Sequence, residues 1–124
     1  MRVYLSRASV CAGDDVDAPH GKILAFPDGT SVLEILTQVA HSGYLASVAG
    51  GRATWSAASN IPLAIIAQQC PEPKPLWALA RSEPMPLLDM RGDTLCIHFN
   101  YHAQQDPDVV YEVLSRLDLQ ADQP

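Results

Sequence analysis

The 124-residue sequence has no run approaching the ~20 apolar residues that a membrane-spanning helix needs. Its opening MRVYLSRASV lacks the continuous apolar stretch of a secretory signal. Cysteine is scarce: Cys11, Cys70 and Cys96 are odd in number, without CxxC spacing. Unpaired thiols of this kind point to a reducing compartment, so the expected location is the cytoplasm. Basic residues are also few, eight Lys and Arg against fourteen Asp and Glu, for a formal net charge of −6. Phosphate neutralisation needs cations, so direct binding of nucleic acid is not expected. No GxSxG segment, P-loop or dinucleotide fingerprint occurs. The pair Gly50-Gly51 before Arg52 reads instead as a turn with unusual backbone angles. Without a catalytic signature, the expectation is a non-enzyme with no cofactor.

Against these absences stands an ordinary globular composition, 48% apolar and 18% charged. A chain of this length buries roughly two-thirds of its unfolded surface, enough for one core without staples. Residues 1–124 are therefore expected to form a single domain.

Residues 2–10 alternate loosely and read as a first strand, and Lys22 to Phe26 as a second, ended by the turn Pro27-Asp28-Gly29. The two are expected to pair across the polar stretch at 11–21. Ser31 with Glu34 forms a capping box. Val32, Ile35, Leu36, Val39 and Ala40 then give an amphipathic helix over 31–42, and Gly43 suits its left-handed end. Residues 53–57 and 63–68 read as strands, the apolar LAIIA of the second suiting burial on both faces. The three prolines of CPEPKP, at 71, 73 and 75, cannot donate ladder bonds and are expected in a connector. An irregular Pro-rich stretch over 70–93 is thus predicted, with 76–80 as a possible short strand inside it. Residues 94–102 alternate cleanly, with Leu95, Ile97, Phe99 and Tyr101 opposite Thr94, Cys96, His98 and Asn100. Asp106 as N-cap, Pro107 as first helical residue and Asp108 near the positive dipole end open a last helix. Its apolar face is predicted as Val109, Val110, Val113, Leu114 and Leu117, and its end near Asp118. The order predicts an α+β fold, a mixed or antiparallel sheet with two main helices, and in its narrower form a β-grasp-like sheet.

Asp14, Asp15 and Asp17 with His20 form the densest acidic group. Carboxylates can hold a hard cation, but the spacing is not that of a calcium loop, and a solvated or partner-facing loop is the plainer reading. Cys96 and His98 share a strand face, while His98 and His102 would sit about 13 Å apart along a strand, too far for one ion. No metal site is therefore expected. Trp55 and Trp77 read as core or sheet cover. Charge is uneven: residues 1–62 carry five acids and four bases, residues 63–124 nine acids and four bases. The excess gathers at Glu83, Asp89, Asp93, Asp106 and Asp108, which with the 14–17 group are the candidate contacts for a cationic partner.

The segments GDDVDAPH (13–20), YLASVAGGRATWS (44–56) and LAIIAQQ (63–69), in a small acidic chain, resemble the immunity proteins of bacterial contact-dependent growth inhibition and related polymorphic toxin systems. The resemblance implies a cytoplasmic inhibitor that binds a cognate basic toxin domain. That toxin would be a nuclease such as a tRNase, and carboxylates here would pair with its Lys and Arg. Two alternatives stay open: a small metal-dependent enzyme built on Asp14, Asp15, Asp17 and His20, and a β-grasp-like adaptor. A sulfur carrier of that fold would need a C-terminal Gly-Gly, where this sequence has Ala121-Asp122-Gln123-Pro124.

Overall fold

A computed structural model describes residues 1–10, 20–46, 50–76 and 87–121, with side chains to residue 116 in the last helix. Among these are seven strands and two helices: β1 (Arg2–Arg7), β2 (Lys22–Ala25), α1 (Val32–His41), β3 (Thr54–Ser59), β4 (Ile61–Ala67), β5 (Cys70–Pro75), β6 (Met90–Arg91), β7 (Thr94–Tyr101) and α2 (Pro107–Ala121). The strands form one mixed sheet in the order β2-β1-β7-β3-β4-β5, with β6 paired to β7. The fold is α+β, as the element order predicts. β1 and β2 pair antiparallel, as expected. The last strand, β7, enters beside the first and runs parallel to it, with Val3 opposite Leu95 and Leu5 opposite Ile97.

The Ser31 hydroxyl accepts the Glu34 N–H at 3.1 Å and starts α1. The Glu34 carboxylate does not reach back to complete the box but accepts from Gln38 at 3.2 Å. Gly43 beyond the helix has φ +83°, the left-handed conformation that costs glycine least. Val32, Ile35, Leu36 and Val39 of α1 are fully buried against Val3, Leu5, Leu95, Ile97 and Phe99. Each side chain removed from water contributes about 1.5–3 kcal/mol, so this face dominates the core. Trp55 is also buried, which bears out its reading as core.

The opposite sheet face is covered in part by α2, through Ile65, Leu76 and Val110 with Tyr111 and Leu114. β4 is therefore buried on both faces, as LAIIA requires. α2 does not bury all of its predicted apolar positions. Val109 and Val113 are 55% and 51% exposed. The reason is angular: at 100° per residue, positions 110, 111 and 114 define one stripe, and 109 and 113 fall on its far side. Leu117 lies outside the described side chains.

CPEPKP is a strand, not a connector: β5 pairs antiparallel with β4, with Lys74 opposite Ile65. The Leu76 N–H donates to the Leu63 carbonyl at 2.9 Å, so even-numbered residues aim their N–H groups at β4. The prolines at 71, 73 and 75 therefore lose only outward-facing donors. An edge strand tolerates that, and the missing donors deny a template to other strands. The predicted irregular stretch thus shrinks at both ends, to β5 before it and β6 after it. Its middle, with Trp77 and the expected strand over 76–80 beyond Leu76, lies outside the described residues. No helix among the described residues is long and apolar enough to cross a membrane.

Candidate functional site

Asp14, Asp15, Asp17 and Glu83 lie outside the described residues. The other four predicted acids separate into two groups. Asp89 and Asp93 flank β6 at the start of β7, whereas Asp106 and Asp108 open α2 beyond its end. An eight-residue strand holds the two groups apart by roughly 23 Å, so they are not one patch.

Their electrostatic settings differ as well. Asp89 pairs with Arg91 at 3.6 Å and Asp93 with Arg2 at 3.9 Å, which balances two acids with two bases. At α2, the Asp106 carboxylate accepts the Asp108 N–H at 2.9 Å and caps the helix. Asp108 pairs with Lys74 at 3.4 Å and Glu112 with Arg116 at 2.9 Å. With Glu72 on neighbouring β5, this end carries four acids against Lys74, Arg116 and Arg52, the last lining one cleft with Asp106 and Asp108, an excess of one negative charge. Exposed pairs of this kind contribute about 0–1 kcal/mol each to stability, so their carboxylates exchange partners readily.

The exposed valines give the same surface its second property. Val109 and Val113, one turn apart on the outer face of α2, stand next to Asp108 and Glu112 in the helix. An apolar centre with a charged border is the anatomy of a protein interface. The sequence pointed to the acids but assigned both valines to the core.

No group of three or more His, Cys, Asp or Glu side chains converges on a metal position among the described residues. Cys96 and His98 do share a strand face, but the His98 ring is engaged elsewhere: its Nδ1 lies 2.7 Å from Ser6 Oγ. A second such contact, 2.8 Å, joins His102 Nε2 to Ser56 Oγ. Burial lowers the pKa of both imidazoles, which favours their neutral forms. Neither serine–histidine pair is visible in the sequence, where Ser6 and His98 stand 92 positions apart. Only the parallel register of β1 on β7 brings them together. No family model, curated protein or solved structure matches this chain.

Proposed function

We propose that this chain is a binding protein of the immunity type, which holds a cognate basic toxin domain against the outer face of α2 and blocks it. The observation that carries the reading is the exposed pair Val109 and Val113 beside Asp108 and Glu112. Val109 and Val113 lie one turn apart on the side of α2 turned from the sheet, where an apolar pair flanked by acids offers a contact surface. Charge selects the partner. The excess of acid at this end of the molecule attracts Lys and Arg, and steers encounter over distances set by ionic strength. Once the partner is docked, valine burial and carboxylate pairing hold it. A nuclease fits this role because its own substrate is a polyanion, so its cationic cleft would accept Asp108 and Glu112 in place of phosphate.

The test is titration of the protein with the C-terminal domain of the product of the gene immediately upstream, at low and at high salt. A one-to-one complex that weakens with salt is expected. The variant Val113→Asp, and the pair Asp108→Lys with Glu112→Lys, are each expected to weaken it roughly tenfold or more, the scale of an interface hot spot. Unchanged affinity in all three, with folding intact, rejects the α2 face. Failure of any complex to form rejects the immunity reading itself.

A further inference from the structure

The face that α2 shares with β4 continues over β3, β7 and β1, where α2 does not reach. There a groove of about 370 Å³ opens on the sheet. Its floor is set by register: Tyr4 and Ser6 of β1 stand opposite Cys96 and His98 of β7. On the other side of His98 comes Ala58 of β3, whose methyl leaves the floor open. Asp89 and Arg91 also line the groove, and their charges are paired at 3.6 Å.

Within this groove the Ser6 hydroxyl and His98 Nδ1 are 2.7 Å apart. A serine hydroxyl becomes a useful nucleophile when a neutral base within hydrogen-bond reach can take its proton. His98 meets both conditions in the tautomer that carries its proton on Nε2, where Ser6 donates to Nδ1. We propose that Ser6 is a nucleophile activated by His98, and that the groove accepts small uncharged carboxylic esters. The class follows from the lining. The Asp89–Arg91 pair leaves no net charge to select an ion, and the volume sits at the small end of ligand pockets, which limits the acyl group to a short one.

In the reaction, Ser6 Oγ bonds to the ester carbonyl carbon while its proton passes to His98 Nδ1. The carbon–oxygen bond to the leaving alcohol then breaks, and that oxygen recovers the proton from His98. The result is acyl-Ser6 and a free alcohol. Water can release the acid by the same two steps in reverse order.

The fold supplies an internal control. Ser56 and His102 make a comparable contact, through Nε2 rather than Nδ1, at 2.8 Å, yet Ser56 is only 3% exposed. A hydrogen bond that merely ties strands together would leave both serines inert, whereas the proposal makes Ser6 alone reactive. The experiment is incubation of the intact protein with 4-nitrophenyl acetate, followed by peptide mapping by mass spectrometry. An acetyl group on Ser6 is expected, with release of a stoichiometric burst of 4-nitrophenolate. Ser6→Ala should abolish that burst and His98→Gln should slow it at least tenfold, while Ser56→Ala should leave it as in the parent. Circular dichroism checks the fold of each variant, and mapping of the unaltered protein decides the matter even where a variant fails to fold. Acetylation confined to lysines or to the amino terminus overturns the proposal, as does an unchanged burst in folded Ser6→Ala or His98→Gln. The burst is read on the protein alone, with no toxin present, so this test stands apart from toxin binding.

Discussion

At the scale of single residues, two aspartates that look alike in a charge count have different physical standing. The Asp106 carboxylate satisfies an N–H that the first turn of α2 would otherwise leave without a partner. Asp93 is 82% exposed and 3.9 Å from Arg2. Asp106→Ala is therefore expected to cost about 1 kcal/mol, and Asp93→Ala to stay within about 0.5 kcal/mol of the parent. Urea denaturation of both variants checks the difference, and equal losses would remove the cap from the account. Caps of this kind can be read from sequence because donor and acceptor are within three residues of each other. The Ser6–His98 contact cannot, since it depends on which strands become neighbours. Glu34 marks the limit of the local signal: its type and position fit a capping box, yet its carboxylate bonds Gln38 instead.

At the scale of elements, proline counts mattered less than proline parity. The sequence shows three prolines in six residues and suggests a break, because a central strand could not lose three donors. The sheet uses them on an edge, at alternate positions, with the remaining N–H groups turned inward. Position decides the effect of a substitution here. Lys74→Pro would delete an inward donor opposite Ile65, and is expected to destabilise by at least the ~1 kcal/mol of a ladder hydrogen bond. It would also remove the Lys74 ammonium from the Tyr111 ring, where it lies 4.2 Å from the centroid. Pro73→Val would instead restore an outward donor, with little effect on stability but a new tendency to associate through the edge. Denaturant midpoints and sedimentation of the two variants separate these outcomes, and the reverse pattern would mean that the register of β5 is wrong. α1 and β7 were legible because one period accounts for the buried apolar positions in each, Leu33 alone of the large apolar residues in α1 facing outward. α2 was not: its five predicted apolar residues span about 140°, the same arc as those of α1, but the helix is turned so that Tyr111 rather than Val109 and Val113 meets the sheet, and that rotation is set by tertiary packing.

At the scale of the whole molecule, β7 holds the fold together, and its open face carries the groups whose ionisation follows folding. Ser6 of β1 meets His98 from one side, and Ser56 of β3 meets His102 from the other. Both imidazoles have pKa values lowered from 6.5, chiefly by burial. The unfolded chain, with ordinary histidines, therefore takes up protons first as pH falls. The stability that these two groups contribute is fully present above pH 6.5. It declines progressively below that value and levels off only once the folded-state histidines themselves protonate. Denaturant midpoints of the intact protein are expected to fall between pH 7.5 and pH 5.5, and the double variant His98→Gln/His102→Gln to flatten that fall. A decline that persists undiminished in the double variant would assign the effect to other groups. The same measurement bears on the groove, since a neutral His98 is what leaves Nδ1 able to take the Ser6 proton. Ester acylation at Ser6 should therefore weaken once pH falls below the range in which His98 stays unprotonated.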